Sequence, residues 1–384
     1  MKRKLALIAS LAVAAVIIPA AASSASGGDH HGWPYEEVAG GLVSPLHLAV
    51  GTGKSLYVTQ DFAATLSRIG RDGDVEDIYA KGVEGWDVAG VETRGATTFF
   101  LESTGAGLGE PAKLEGYLKA IGPGGDVRTI ADLAEYERKY NPDGNQKYGF
   151  APGTSAACLA ETTPPEGEGG PPPQYKGVVD SHPYATAVQG NTAYVADAGM
   201  NAILRVNIRT GEISTLAVLP PRPFTIPAEA AEELMAPSCA GFTYAFEFVP
   251  TDVDIGPDGW LYVTSLPGGP ESEALGHRGA IFKVNPWTGA TRLWVDYILS
   301  PTGLAVANTG DVYVASLFGN EILKFHAWKG HRTQFLKVNQ PADVEIQGRT
   351  LYATIDALPG PPAGPGAAPP AGPPAGKVIK ADIR

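Results

Sequence analysis

Apolar and polar residues alternate along many short segments of this chain, and the alternating pattern returns about every forty residues. Each copy opens with a proline or glycine, continues as an alternating run, and is followed by a second run that contains an aromatic residue. The six openings begin at Pro45, Gly85, Pro183, Pro250, Pro301 and Pro341. Alternation with a period of two is typical of β-strands. The pattern therefore predicts an all-β chain built from six similar units.

The later part of each unit contains two further short strands. Five units place a glycine turn between them, as in 68–75 and 205–213. Glycine and aspartate supply the positive φ that tight hairpin turns require. Four strands per repeat of this length indicate the blades of a β-propeller. We predict a six-bladed β-propeller with blades near 45–83, 85–131, 183–219, 250–297, 301–337 and 341–384.

The sixth unit ends at a third strand, 377–384, with no fourth strand after it. The segment 35–39 precedes the first unit and resembles the fourth strands of the other units. We predict that this N-terminal strand closes the last blade, because that pairing would leave neither sheet edge open. Residues 35–384 would then form one domain.

Extra length between and within the units falls in four segments. The inter-blade insertions are 132–181 and 220–248, with short helices predicted at 131–140 and around 228–234. The others are the loop 267–279 and the Pro/Gly/Ala-rich segment 358–376, for which a disordered linker is the alternative interpretation. In a propeller, connections of these two kinds lie on the same face. We therefore expect all four segments to surround one mouth of the central channel.

Residues 1–25 have the composition of a secretory signal peptide, with a basic start, an apolar run over 5–18 and small residues before the expected cleavage site. An uncleaved anchor is the alternative, although the apolar run is shorter than a full membrane span. We predict a secreted, extracellular protein with no membrane span after cleavage.

Charge and cysteine content fit that location. Removal of residues 1–25 changes the formal net charge from −12 to −15, which argues against nucleic acid and anionic lipid as partners. The two cysteines, Cys158 and Cys239, lie in the two inter-blade insertions. In an oxidising compartment they are expected to form one disulfide, and two free buried thiols are the alternative.

Acidic residues recur near the start of the innermost strands. Two positions beyond the opening residue, four units carry His47, Asp87, Asp252 and Asp343. Alternation places Asp254 and Glu345 on the same side, two residues further along. Because innermost strands surround the axis, these side chains can converge on a site for Ca²⁺ or another divalent cation. The alternative is a polar, water-filled axis in which the aspartates accept hydrogen bonds from backbone amides of neighbouring strands.

Four further residues are candidates for a ligand-binding rim at the same mouth: Asp61, Glu102, His182 and Asp197. Asp197 is followed by Ala-Gly and could instead lock a turn by accepting backbone amides. A histidine at position 182 could equally be an ordinary loop residue. The chain contains no Gly-x-Ser-x-Gly, His-Glu-x-x-His, phosphate-binding glycine loop or Cys-x-x-Cys motif.

Several stretches resemble a known family. They are 131–137, Asn141-Pro-Asp-Gly144, Pro183-Tyr184 and 195–201. With these stretches the chain resembles the scytonemin-biosynthesis D/E family of secreted, NHL-like (and SMP-30-like) six-bladed propellers over almost all of its mature length. It departs from the family's frequent Pro-Arg-Gly-Leu-Ala opening and cysteine-bearing loop in the first blade, where Pro45-Leu-His-Leu-Ala49 and a short loop stand. The resemblance implies no catalytic residues.

Two functions follow as hypotheses. The first is a binding protein that holds a small molecule, a glycan or a protein at the mouth surrounded by the insertions. The alternative is a metal-dependent hydrolase or lactonase acting at the central channel. In that case Asp252 and Asp343 would be metal ligands, and His47 a ligand or general base.

Overall fold

The computed structural model describes residues 35–165, 170–271, 274–327, 330–358 and 374–383. The predicted signal peptide lies outside the described residues, as does most of the Pro/Gly/Ala-rich segment 358–376. Within the described part of the chain, no helix is both long and apolar enough to cross a bilayer.

Short antiparallel strands account for most of the ordered backbone. The strands of the N-terminal half are β1 (Tyr35–Leu42), β2 (Pro45–Val50), β3 (Leu56–Gln60), β4 (Thr65–Ile69), β5 (Val75–Ala80), β6 (Trp86–Arg94), β7 (Thr97–Thr104), β8 (Glu115–Ile121), β9 (Val127–Asp132), β10 (Lys147–Phe150), β11 (Gln174–Lys176), β12 (Pro183–Gln189), β13 (Thr192–Asp197) and β14 (Ala202–Asn207). They are followed by β15 (Ile213–Val218), β16 (Arg222–Thr225), β17 (Thr243–Phe246), β18 (Phe248–Ile255), β19 (Leu261–Pro267), β20 (Gly279–Val284), β21 (Thr291–Ile298), β22 (Pro301–Val306), β23 (Val312–Ser316), β24 (Glu321–Phe325), β25 (Arg332–Lys337), β26 (Val344–Gln347), β27 (Thr350–Ile355) and β28 (Gly376–Asp382).

The α-helices of the described residues lie in the insertions between sheets. They are α1 (Leu133–Tyr140), α2 (Ala156–Thr162) and α3 (Ala228–Glu233). The two helices predicted from the sequence correspond to α1 and α3, whereas α2 was not predicted. Asp132 caps α1 by accepting a hydrogen bond from the backbone N–H of Glu135 at 2.8 Å. The helix ends at Asn141, whose left-handed backbone (φ 38°) turns the chain away from the helix axis.

The strands of the described residues form four-stranded antiparallel sheets, as the all-β prediction requires. Six of these sheets follow the sequence repeat, and we number them sheets 1 to 6. They are β2–β5, β6–β9, β12–β15, β18–β21, β22–β25, and β26–β28 with β1. The first strand of each sheet contacts the first strand of the next, and β26 of sheet 6 contacts β2 of sheet 1. The sheets therefore form a closed ring around one axis.

The N-terminal strand closes the ring in the predicted way. β1 pairs antiparallel with β28, with Tyr35 opposite Ala381 and Glu37 opposite Ile379. Ala39 and Leu42 of β1 pack in one apolar cluster with Leu48 of sheet 1. The two ends of the described chain thus share one sheet and one core, and β28 is paired on both sides, with β27 and with β1.

The two inter-blade insertions combine into a further four-stranded sheet, which we call the insertion sheet. Its strand order is β11-β10-β17-β16. It has its own apolar core, to which Phe150 and Cys158 of the first insertion and Phe246 of the second contribute. Leu275, from the loop between β19 and β20, packs in the same core. Three of the four predicted extra segments therefore meet on one face of the ring.

Cys158 and Cys239 are joined in the predicted disulfide, inside this core. The disulfide was the one connection between the insertions that the sequence predicted. The structure adds a pairing of β10 with β17 and an apolar cluster buried between the insertions. Short strands so far apart in sequence carry no local signature, because each of them has only four residues in which to alternate.

We expect the double substitution Cys158→Ala/Cys239→Ala to lower the free energy of unfolding by about 2–4 kcal/mol, since the disulfide restricts the unfolded chain. Urea unfolding of the purified mature protein measures this loss, and wild type under reducing conditions should match the variant. Alkylation of both thiols in unreduced protein, detected by mass spectrometry, would contradict the pairing.

Candidate functional site at the axis and its mouth

The innermost strands of sheets 1 to 6 line one narrow axial cavity. Its volume is about 20 Å³. That volume suffices for roughly one water molecule, whereas pockets for small organic ligands have volumes of about 300–1,000 Å³. The axis therefore has room for water or an ion, and any larger ligand must bind outside it.

Carboxylates on the axis connect neighbouring sheets. Asp252 of sheet 4 accepts hydrogen bonds from the N–H of Val253, at 2.7 Å, and from the N–H of Leu304 in sheet 5, at 2.6 Å. Asp254 bonds the N–H of Val306, at 2.8 Å, in the same manner. Each carboxylate thus binds one amide of its own strand and one of the next sheet. Innermost strands have no ladder partner on their axial side, so these bonds satisfy amides that would otherwise depend on water.

The pattern repeats at every second sheet. Asp343 of sheet 6 accepts from the N–H of Leu48 in sheet 1 at 2.7 Å, and Glu92 of sheet 2 accepts from the main-chain amide of Val188 in sheet 3. Acidic residues on sheets 2, 4 and 6 therefore bond to sheets 3, 5 and 1. The innermost strands of sheets 5 and 6 approach each other so closely that a Cβ on Gly303 would collide with Asp343. Glycine at 303 is required by that contact.

Burial sets the protonation of these acids. It raises the pKa of Asp254 and of Asp343 to about 6. Burial also raises the pKa of Glu92, to about 8. The charges of Asp254 and Asp343 raise this pKa as well, whereas the hydrogen bond from the Thr93 amide lowers it. Neighbouring buried carboxylates repel each other, so part of the axial set holds protons near neutral pH.

Five side chains converge at the mouth of the channel, on the face that carries the insertions, and we call them the mouth cluster. They are His47, Asp61, Asp87, His182 and Tyr184. His47 Nδ1 lies 3.4 Å from Asp61 Oδ2, and His182 Nε2 lies 3.7 Å from Asp87 Oδ2. The ring of Tyr184 meets both imidazoles edge-on, with centroids 4.5 Å from His47 and 5.5 Å from His182. Residues near sheets 1, 2 and 3 thereby form two histidine–aspartate pairs around one tyrosine.

His47 and Asp61 of the mouth cluster are buried, Asp87, His182 and Tyr184 are partly exposed, and the charges of the cluster affect one another. Burial, together with the charge of the nearby His47, lowers the pKa of His182 to about 4. Burial, followed by the charge of Asp61, raises the pKa of Asp87 to about 7. His182 is therefore neutral at physiological pH. Among the described residues, neither ring nitrogen of the buried His47 has a hydrogen-bond partner. Because Nδ1 lies 3.4 Å from Asp61 Oδ2, Nε2 is the nitrogen that is available to a bound group.

The structure separates the sequence-derived candidates into two groups. His47, Asp61, Asp87 and His182 meet at the mouth, with Asp343 close enough for the charge of His47 to lower its pKa. Tyr184 was not singled out as a site residue. Its signal was its position directly after Pro183, at the start of an innermost strand.

Glu102 and Asp197 lie elsewhere. Glu102 is fully buried, and its carboxylate lies 3.1 Å from Lys81 Nζ and 2.5 Å from Lys119 Nζ. It accepts a further hydrogen bond from Tyr79 of sheet 1.

Asp197 organises the turn after β13. It accepts hydrogen bonds from the N–H of His182 at 2.8 Å, from Ser181 Oγ at 2.9 Å and from the N–H of Met200 at 3.1 Å. This arrangement corresponds to the turn-locking alternative for Asp197, and it also fixes the backbone of His182 at the mouth.

The axial residues do not have the arrangement of a metal site. Over the described ranges, no three or more His, Cys, Asp or Glu side chains are grouped so that they could hold a metal ion. Both carboxylate oxygens of Asp252 and of Asp343 accept backbone N–H bonds. Their geometry matches the hydrogen-bonded alternative for these aspartates.

Comparison with known proteins gives the fold. No protein-family model and no curated protein matches the chain. Among solved structures, a putative oxidoreductase (glucose dehydrogenase) from Thermus thermophilus is similar at 15% identity and a TM-score of 0.53, covering 91% of this chain and 99% of that one. The PQQ-bound aldose sugar dehydrogenase of Streptomyces coelicolor has 15% identity, a TM-score of 0.51 and coverages of 90% and 96%. A gluconolactonase from Xanthomonas campestris has 10% identity, a TM-score of 0.51 and coverages of 91% and 89%. At these identities the likeness shows a β-propeller fold alone.

We expect Glu92→Gln to flatten the pH dependence of stability. The folded-state pKa of Glu92, about 8, lies above the unfolded value of about 4.3, so its contribution to stability is present below that lower value and is lost as pH rises through 8. Urea unfolding at pH 5, 7 and 9 should show a smaller decline for the variant than for wild type. Glu84→Gln, at an exposed position, is the control. Equal slopes for Glu92→Gln and wild type would contradict the prediction.

Proposed function

We propose that this protein is a secreted, six-bladed β-propeller of the scytonemin-biosynthesis D/E type that binds a protein partner through its insertion-bearing face. The closed ring of sheets 1 to 6 supports the blade count, and the sequence stretches described above support the family. The N-terminal signal pattern and the disulfide support secretion.

The distribution of exposed apolar side chains carries the binding proposal. Strand order places the connections after second and fourth strands on the insertion-bearing face. Of the thirteen exposed large apolar residues in the described chain, five lie in outermost strands and seven lie on these connections. The seven are Phe62, Val83, Leu108, Tyr140, Val178, Met235 and Phe318. On the opposite face, Trp287, which is 74% exposed, lies in the turn between β20 and β21. Exposed apolar groups concentrated on one face are typical of an interaction surface.

A macromolecular partner fits this face better than a small molecule. The apolar residues belong to connections of several different sheets, so one compact ligand could not contact them together. The axial cavity, about 20 Å³, admits no organic ligand. A protein surface can cover a broad face and place a polar group over the central mouth cluster, an arrangement in which an apolar patch surrounds a few specific polar contacts.

Phe62→Asp/Phe318→Asp should reduce partner capture at least tenfold, because two charges would be buried in the interface. The mature protein, labelled with a photo-crosslinker and applied to the producing cells and their medium, should give a defined protein adduct. Trp287→Asp, on the opposite face, should keep it, and melting temperatures should show that both variants fold.

An adduct retained by the double variant, or lost equally in Trp287→Asp, would contradict the proposed face. If native mass spectrometry of protein recovered from its medium shows a bound mass of a few hundred daltons and no protein adduct forms, the partner is a small molecule or glycan instead.

The alternative function, a divalent-metal-dependent hydrolase or lactonase, is favoured by one observation. His47–Asp61 and His182–Asp87 are two histidine–aspartate pairs beside the axis, and such pairs can serve in general acid–base catalysis. The axial aspartates do not fit a metal in their described arrangement, because backbone amides occupy their oxygens.

Elemental analysis decides between the two functions at the axis. The hydrolase alternative predicts a divalent ion that is lost from Asp252→Asn/Asp343→Asn, together with lactone hydrolysis that a chelator abolishes. The binding proposal predicts the same metal content in the double variant as in wild type and no chelator-sensitive hydrolysis. A loss of metal confined to the axial variant would overturn the structural role of these aspartates.

A further inference from the structure

A second group of acids is buried outside the mouth, between the first insertion and sheet 3. Glu137 lies on α1, Asp143 in the turn that follows it, and Asp197 at the end of β13, and each is at most 1% exposed. Asp180 and Glu247 are close enough that their charges act on the same groups. None of these five acids lines the axial cavity, and Asp197 contacts the mouth cluster through the N–H of His182.

Local structure brings the acids together with two asparagines. α1 ends at Asn141, and the following turn is closed by a hydrogen bond from the Gly144 N–H to the Asn141 carbonyl at 3.0 Å. Asn201 occupies a left-handed position (φ 51°) in the turn between β13 and β14. Its amide nitrogen donates to Asp143 Oδ2 at 2.9 Å. Two distinctive stretches of the sequence, 141–144 and 195–201, therefore meet at this point.

Four side-chain oxygens in this group are buried and have no hydrogen-bond partner among the described residues. They are Glu137 Oε2, Asn141 Oδ1, Asp143 Oδ1 and Asn201 Oδ1. The orientation of both amides is fixed by their nitrogens, since Asn141 Nδ2 donates to the Gly177 carbonyl at 3.2 Å and Asn201 Nδ2 donates to Asp143. Turning either amide around would break a bond that it already makes. The unpaired atoms are all acceptors.

Within the described chain, nothing basic neutralises the group. None of its five carboxyl groups forms an ion pair with Lys, Arg or His there. Tyr148 donates to Asp143 Oδ2 at 3.1 Å, and Tyr175 donates to Glu247 at 2.7 Å. Neutral hydroxyl donors do not balance several buried negative charges, which are strongly unfavourable without a proton or a cation.

We propose that Glu137, Asn141, Asp143 and Asn201 bind a calcium ion. All four unpaired atoms are hard oxygen donors, which suit Ca²⁺, and no nitrogen or sulfur ligand is among them. The set holds only two carboxylates, whose charge equals that of one divalent cation, and two neutral amide oxygens complete it. Ca²⁺ takes six to eight oxygens, and backbone carbonyls or water complete such a shell.

The neighbouring acids assist without being ligands. Asp180 accepts from the N–H of Gly107 at 3.1 Å and from the N–H of Ser181 at 3.0 Å, and Asp197 is bonded to its own turn. Their charge attracts a cation while their oxygens remain in use. The chain at Gly177 passes close to the Asp143 carboxylate, because a Cβ there would collide with Asp143 Oδ1 and Cγ. The bound ion would tie α1 and its following turn to the β13–β14 turn of sheet 3.

The test uses mature wild-type protein freed of metal by chelator and gel filtration. Titration with CaCl₂ should show one equivalent bound and a saturable rise in melting temperature. Glu137→Gln and Asp143→Asn keep the side-chain volume and an acceptor oxygen but remove a charge. Each should weaken Ca²⁺ binding on the order of tenfold or more, while melting temperature without calcium stays the same or rises because repulsion is relieved.

Asp252→Asn/Asp343→Asn is the matched control and should retain one equivalent of calcium. The proposal is overturned if wild type binds no calcium and its melting temperature is unchanged, since protons would then neutralise the group. It is also overturned if Glu137→Gln and Asp143→Asn bind calcium as wild type does, or if only the axial variant loses it. None of these outcomes depends on the binding partner or on any catalytic activity.

Discussion

Two interactions join neighbouring sheets of the ring: apolar clusters that span each pair of sheets, and hydrogen bonds that run from axial carboxylates to the backbone of the next sheet at three of the six junctions. β-Sheet ladders hold each sheet together, but they do not cross from one innermost strand to the next. Asp252, Asp254 and Asp343 make that connection through the amides of Leu304, Val306 and Leu48. Because buried carboxylates repel one another, the arrangement is tolerable only while each one is bonded to amides or holds a proton. The axial carboxylates therefore use their oxygens to hold neighbouring sheets in place.

Because the axial side chains hold the sheets together, specificity for a binding partner must come from the connections on the insertion-bearing face. The insertion sheet has its own apolar core and a disulfide. The insertions therefore form a packed layer on this face of the ring and are not a set of separate loops. Beside it, residues from sheets 1, 2 and 3 form the mouth cluster, where two imidazoles meet Tyr184. A rigid scaffold with elaborated connections on one face is the usual way in which such folds acquire function.

The sequence predicted what depends on local alternation and turn chemistry. The strands of the repeat, the pairing of β1 with β28, the helices α1 and α3 and the Cys158–Cys239 bond were all readable from residues close together in the chain or from simple pairing. The insertion sheet was not, because β10 and β17 are four-residue strands whose paired residues, such as Gly149 and Ala245, lie far apart in the sequence. Nor could spacing alone show that Asp61 meets His47 whereas Glu102, at the end of the equivalent strand, meets two lysines.

The buried acids and the mouth cluster are linked by one short segment, 180–182. The N–H of Asp180 donates to Glu137 Oε1 at 3.1 Å, and the next residues bond to Asp197 through Ser181 Oγ and the N–H of His182. His182 then faces Asp87 and Tyr184 at the mouth. Anything that fixes the charge and position of Glu137 and its neighbours also fixes the backbone from which His182 projects. A cation held by α1 and the β13–β14 turn would therefore stabilise the first insertion. Through the segment 180–182 it would also set the position of the His182 imidazole in the mouth cluster, although it would not contact that imidazole.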